Sequence, residues 1–299
     1  METGILLESG TNELEVLEFK VGGNYYGINV AKIKEILPYQ DPTPIPNAHP
    51  CVEGIFMPRD EIISIVNLAK NLNLSASQDK SKDMYVVTNF NKLNIAFHVH
   101  SVVGIHRVSW ADIIKPDDTV NASGNGVATG IIKLENRLIV ILDFEKIVSD
   151  ISPETGLKVS DINHLGNRKR NAAPILMAED SPLLGKLIYD SLTKAGYTNI
   201  TNVGNGLEAW NKLVEYKNSG DFESKVHCVI TDIEMPQMDG HRLTKLIKED
   251  KELSRIPVII FSSLINPEMR KKGELLGADA QLTKPEIGSL VDAIDRLIF

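Results

Sequence analysis

Cysteine is almost absent from this chain. Cys51 and Cys228 stand alone among 299 residues, with no Cys-x-x-Cys pair and no paired histidine spacing beside them. Nothing supports a disulfide framework or a thiolate zinc site, and both residues read as buried free thiols. Long apolar runs are missing as well. No stretch approaches the roughly 20 apolar residues of a membrane span. The opening Met1-Glu-Thr-Gly4 has neither the basic flank nor the apolar run of a signal peptide. The expectation is a cytoplasmic protein with no direct membrane insertion. Positive charge is in deficit too: 32 Lys and Arg stand against 40 Asp and Glu, a formal charge of -8. Binding nucleic-acid phosphates or anionic lipid needs clustered Lys and Arg, so no nucleic acid is expected as a partner.

What is present divides into two patterns. At 299 residues the chain exceeds the usual single core, which favours two domains. Residues 1–12 read as a flexible N-terminus. From 13 to 150, short alternating segments such as Leu14-Glu-Val-Leu-Glu-Phe19, Met84-Tyr-Val-Val-Thr88 and Arg137-Leu-Ile-Val-Ile-Leu142 are punctuated by turn residues. This is the pattern of a small all-β assembly. Turns are expected at Gly22-Gly-Asn24, Asn91-Lys92 and Glu135-Asn136, with brief helices at Val30 to Ile36, Leu68 to Asn71 and Phe144 to Val148. His98 and His100 are two apart on one strand face, but no third metal ligand accompanies them, so they read as partly exposed strand histidines. Between 151 and 173 the apolar periodicity lapses into Ser, Pro, Gly, Asn and the basic run Arg168-Lys-Arg170, which reads as a linker.

From 174 to 299 apolar runs alternate five times with helical periodicity, which predicts a doubly wound parallel sheet. Ser181, Asn205, Asp239, Asn266 and Glu286 open helices, and Gly196 and Gly277 close two of them. The acid pair Glu179 and Asp180 follows Pro174-Ile-Leu-Met-Ala178, and Asp232 follows Val226-His-Cys-Val-Ile-Thr231. Ser262 follows Ile256-Pro-Val-Ile-Ile-Phe261, and Lys284 follows Ala280-Gln-Leu-Thr283. Ligands bind beyond the carboxyl ends of such strands, so the five side chains are expected to converge.

Three convergent carboxylates repel one another unless protons or a cation compensate them. Mg²⁺ suits the site, because it takes oxygen ligands and keeps several waters. Glu179 and Asp180 would hold it while Asp232 both ligates it and attacks phosphorus, forming an aspartyl phosphate. Lys284 would meet the charge on the phosphoryl oxygens, and Ser262 would donate a hydrogen bond to them.

Residues 174 to 299 resemble the receiver domain of two-component response regulators. The resemblance is carried by Ala178-Glu-Asp-Ser181, Thr231-Asp-Ile-Glu-Met-Pro-Gln-Met-Asp-Gly240, Phe261-Ser-Ser263 and Gly277-Ala-Asp-Ala-Gln-Leu-Thr-Lys-Pro285. It implies a flavodoxin-like fold, the main-chain carbonyl of Glu234 as a further Mg²⁺ ligand, and a cis peptide between Lys284 and Pro285. One departure stands out. The family commonly carries Tyr or Phe at a switch position that is Gln281 here, so the expected signal passes through other parts of that face or is weaker.

The first half resembles the CheW-type coupling domain of bacterial chemotaxis. The matching residues are Tyr26-Gly-Ile-Asn-Val-Ala-Lys-Ile-Lys-Glu-Ile36, Pro44-Ile-Pro-Asn47, Val52-Glu-Gly-Ile-Phe-Met-Pro-Arg-Asp60, Ile65-Val-Asn-Leu68 and Thr129 to Leu142. The resemblance implies a double small barrel, each part five-stranded. It also implies a receptor-facing surface with Ile33, Glu35 and Arg59, in which Glu35 and Arg59 pair. Asp60 replaces a usual turn glycine, and Asp tolerates left-handed backbone better than most residues.

The fusion resembles CheV-type chemotaxis coupling proteins. It implies an adaptor between the cytoplasmic tips of methyl-accepting chemoreceptors and the chemotaxis histidine kinase, retuned by phosphorylation of Asp232. A phosphate sink tethered to the receptor array is the alternative. A receptor methylesterase is disfavoured by the lack of a Gly-x-Ser-x-Gly motif, and a transcription regulator by the lack of a helix-turn-helix pattern.

Overall fold

The computed structural model describes residues 11–90, 93–116, 126–153, 170–284 and 286–299. Two compact units divide them, one within residues 14–156 and the other made of residues 11–13 together with those within 157–299. The turn expected at Asn91-Lys92, residues 1–10 of the N-terminal stretch and residues 154–169 of the linker lie outside the described residues.

Two five-stranded sheets make up the first unit. In the first, β1 (Glu13–Val21) and β2 (Asn24–Asn29) form an antiparallel hairpin with Val21 opposite Asn24. Its two loop residues, Gly22 and Gly23, have φ of 57° and 85°, a left-handed pair that matches the twist of the flanking strands. The second sheet holds β3 (Ile33–Pro38), β4 (Val52–Phe56), β5 (Ile63–Asn67), β6 (Met84–Phe90) and β7 (Leu93–Val99), in the order β3-β6-β7-β5-β4. The first sheet is completed by β8 (Ser101–Ser109), β9 (Ala128–Lys133) and β10 (Leu138–Leu142), in the order β8-β1-β2-β10-β9.

The helices α1 (Leu68–Asn71) and α2 (Phe144–Ile151) lie where the sequence places them. Phe144 of α2 meets Phe97 of the second sheet edge-on, with ring centroids 4.7 Å apart, and Phe19 of the first sheet at 6.2 Å. One apolar cluster therefore joins Leu17, Phe19 and Ile28 of the first sheet to Val66, Val86 and Phe97 of the second.

Three expectations for this unit need correction, the first being the burial of Cys51, which is only half-buried. Val30 to Ile36 is not a helix: a 3-10 turn at Val30–Lys32 leads into β3, whose Ile33 and Ile36 pair with Thr88 and Val86 of β6. Isoleucine pairs well on a pleated sheet, and the partner strand overrides the helix-like spacing. His98 is not partly exposed either. It is buried on β7 between Glu53 and Asp83.

In the second unit β11 (Ile175–Ala178), β12 (Ile200–Val203), β13 (Cys228–Thr231), β14 (Val258–Ser262) and β15 (Ala280–Thr283) form a parallel sheet in the order β12-β11-β13-β14-β15. Around it lie α3 (Pro182–Lys194), α4 (Gly206–Asn218), α5 (Phe222–Lys225), α6 (Gly240–Glu249), α7 (Pro267–Leu275) and α8 (Ile287–Ile298). Ser181, Asn205, Asp239 and Asn266 accept bonds from the first turns of α3, α4, α6 and α7, as the sequence predicts.

Successive strand residues serve opposite faces. Ile175 and Met177 pack with Ile188, Leu192, Leu290 and Ile294, whereas Leu176 and Ala178 pack with Ala209, Leu213, Leu243 and Ile247. Burial on both faces is what the continuous apolar runs require. Cys228, on β13, is sealed in this core, which pushes its thiol pKa up to about 12, and both cysteines are free. Among the described residues, no helix is long and apolar enough to cross a membrane.

Candidate functional site

Parallel pairing brings the carboxyl ends of four strands to one edge. Ala178 lies opposite Thr231, so the residues that follow, Glu179 and Asp232, emerge side by side. Ser262 lies opposite Thr283, which delivers Lys284 to the same edge, where its amide bonds the Ser262 carbonyl at 3.2 Å. One ligand oxygen from each of Glu179, Asp180 and Asp232 fits within 4.8 Å of the others. Lys284 is only 3% exposed, and its ammonium stands 2.8 Å from Glu179 Oε2 and 3.0 Å from Asp232 Oδ2. It supplies the charge that a buried carboxylate pair requires.

Asp232 is held from several sides. Its Oδ1 accepts the Ile233 amide at 2.6 Å, its amide donates to Ala178, and its carbonyl accepts the Thr231 hydroxyl at 2.8 Å. The loop after it returns tightly, with the Gly240 amide on the Ile233 carbonyl at 2.9 Å. A Cβ on Gly240 would overlap the Asp232 carbonyl oxygen, so the sequence needs glycine there. The next residue, His241, is buried with its Nε2 unpartnered. Burial, followed by the nearby Lys272 charge, pulls its pKa down to about 3, and the ring is neutral.

The donor set fits a hard divalent cation: clustered carboxylate oxygens on rigid strand ends, with no thiolate or imidazole among them. The other expected residues lie as follows. Glu234 stands on the loop between β13 and α6. Ser262 is fully buried, and its hydroxyl accepts the Leu264 amide at 3.2 Å. Gln281 does not join the carboxylates; its side chain turns toward α7 and donates to the Arg270 carbonyl at 2.7 Å. Pro285, and with it the expected cis peptide, lies outside the described residues.

In the first unit Ile33 is half-buried against the apolar cluster of that unit. Glu35 sits on β3, and Arg59 Nη2 reaches its Oε2 at 3.2 Å, giving the expected ion pair. Arg59 and Asp60 have φ of 51° and 66°, so the substituted turn glycine falls on left-handed backbone and its neighbour shares that conformation.

Sequence reasoning missed a second charged cluster. His98 Nδ1 faces the Glu53 carboxylate at 3.0 and 3.1 Å, and its Nε2 lies 2.9 Å from Asp83. Asn67 also donates to Glu53, and Ser77 donates to Asp83 at 2.7 Å. Only the histidine carried a sequence signal, because its partners lie on distant segments.

Comparison with known proteins bears on both units. Residues 15–152 match the CheW-like domain, and residues 175–295 match the response regulator receiver domain. The chain is 29% identical over 300 residues to chemotaxis protein CheV3 of Helicobacter pylori, covering 96% of this chain and 95% of that protein. It is 28% identical to CheV2 of the same organism over the same shares of the two chains. It is 31% identical over 153 residues to chemotaxis protein CheW of Thermotoga maritima, covering 50% of this chain and 98% of that one.

Proposed function

The chain belongs to the CheV-type chemotaxis proteins, which fuse a CheW-like domain to a receiver domain, and on that premise we propose that it is an adaptor regulated by phosphorylation. Residues 13–150 couple chemoreceptors to a histidine kinase, residues 151–173 link the halves, and residues 174–299 receive the phosphoryl group. Each five-stranded sheet of the first unit curls into a small barrel, and Ile33, Glu35 and Arg59 line the surface that meets the receptor tip.

The observation that carries this reading is Lys284 between Glu179 and Asp232 in a cluster of three carboxylates at a parallel sheet edge. Glu179, Asp180, Asp232 and the Glu234 carbonyl would hold Mg²⁺, which when bound neutralises charge on the carboxylates and phosphoryl oxygens. An Asp232 carboxylate oxygen forms the new O–P bond as the P–N bond to the kinase's phosphohistidine breaks, and the departing imidazole takes a proton from solvent. Lys284 then exchanges its carboxylate partners for phosphoryl oxygens, and Ser262 turns its hydroxyl from the Leu264 amide to donate to them. Chemistry stops at self-modification, so the chain is a signalling adaptor rather than a turnover enzyme.

The test is labelled phosphotransfer from the cognate kinase, followed by receptor and kinase binding in both states. Label that hydroxylamine removes, that Asp232→Ala abolishes, and that changes binding supports the reading. A chain that never acquires label refutes it. Altered lifetime of phosphorylated competitors with unchanged coupling would identify a phosphate sink instead.

A further inference from the structure

The helix α7 differs from α3, α4, α6 and α8 in how it is attached. Those four bury apolar side chains against the sheet, whereas the only buried residue of α7 is Gly273, and Leu275 points into solvent. A helix without an apolar stripe lacks the usual tertiary anchor.

What ties α7 to β15 is a polar fit. Gln281 turns inward, 8% exposed, and its Nε2 donates to the Arg270 carbonyl at 2.7 Å. Arg270 Nη1 returns a bond to the Gln281 carbonyl at 3.4 Å. Gly273 lies so close over the carboxamide that a Cβ there would overlap its oxygen, carbon and nitrogen. The Gln281 Oε1 is buried without a partner. Rotation to the surface would give that oxygen water, so the Nε2 bond and the fit beneath Gly273 outweigh its burial.

The place of this contact matters. The helix α7 follows Ser262 after a short loop, and β15 runs from Gln281 directly to Lys284. Adjustment at the phosphoryl site would therefore be felt by α7 unless something held it.

We propose that Gln281, Arg270 and Gly273 form a lock that fixes α7 on β15 whether or not Asp232 is phosphorylated, so that the signal leaves through other elements. Gln281 is a positioning residue in this arrangement. The inference rests on the reading of Asp232 as phosphoacceptor, but the lock itself is testable without it.

Hydrogen exchange on the full chain, comparing α7 amides with α8 amides as a folding control, decides the matter through a double-mutant cycle. Gly273→Ala alone expels the carboxamide and should lower α7 protection about tenfold. In a Gln281→Ala background the same change should leave protection unchanged or raise it, since Ala favours helix over Gly. Equal effects in both backgrounds overturn the lock.

A second arm adds acetyl phosphate and magnesium. Wild-type α7 protection should stay within about twofold, while Gln281→Ala should shift about threefold or more. Equal shifts in the two proteins overturn the proposal. Failure to label Asp232 overturns the site reading instead, and the cycle then decides the lock alone.

Discussion

His98 donates through Nε2 to the buried carboxylate of Asp83 at 2.9 Å. Its other nitrogen faces Glu53, Tyr39 and Tyr85 flank the ring at 4.9 and 5.7 Å, and His100 stands 6.2 Å away. Burial by itself lowers the His98 pKa, but the bonds and charges of Glu53 and then Asp83 outweigh it and leave the pKa above the ordinary value. Glu53 moves the other way: burial raises it, and His98 with Asn67 and Lys70 brings it below the usual carboxylate range.

A raised histidine pKa means stability that is full below the unfolded value of about 6.5 and is lost as pH rises through the folded value. The lowered Glu53 pKa contributes stability above its unfolded value that is lost as pH falls. The first unit should therefore be most stable in mildly acidic solution and weaken toward alkaline pH. Urea unfolding read by Trp110 fluorescence in a Trp210→Phe background checks this. His98→Gln should cost about 3–5 kcal/mol at pH 6 and flatten the alkaline decline. An equal decline in the variant would assign it to other groups.

Lys284 bridges Glu179 and Asp232 through its ammonium. Lys284→Met keeps much of the volume and removes the charge that bridges two buried carboxylates, and should destabilise the second unit by about 3 kcal/mol or more at neutral pH. Magnesium should then raise the melting temperature further in the variant than in wild type, because the cation replaces the missing charge. Thermal unfolding with and without magnesium measures both effects. A smaller magnesium response in the variant would contradict the cation site.

Gly240 opens α6, where alanine is favoured by about 1 kcal/mol on helix propensity alone. The overlap of a Cβ with the Asp232 carbonyl predicts the opposite sign. Gly240→Ala should cost about 2 kcal/mol or more and slow labelling of Asp232, because the loop that holds the acceptor has to move. Urea unfolding and the labelling rate of one preparation give both readings.

The acceptor site is legible in sequence because each of its residues ends an apolar run, and a parallel sheet turns that order into proximity. The same logic fails at Val30-Ala-Lys-Ile-Lys-Glu-Ile36, where spacing of three mimics a helix and only the pairing with β6 decides for a strand. His98 exposes a second limit: the partners that bury it come from positions 53 and 83, and no local spacing announces them. Gln281 is similar, since its inward turn depends on the absence of a side chain at Gly273 on a different element.

Arg59 is 81% exposed while its partner Glu35 is only 19% exposed. Such a pair gives about 0–1 kcal/mol, so it does little for stability. It does fix a guanidinium on a left-handed turn beside the exposed Met57 and Ile62, where a receptor surface would meet charge and apolar area together. Arg59→Glu should leave the urea midpoint nearly unchanged and weaken capture of a receptor helical hairpin at least about tenfold. Exchanging the two charges, with Glu35→Arg added, should restore little of that binding if the proposed receptor surface depends on the position of the cation rather than on the pair. Unchanged capture by the single variant would remove Arg59 from the receptor surface.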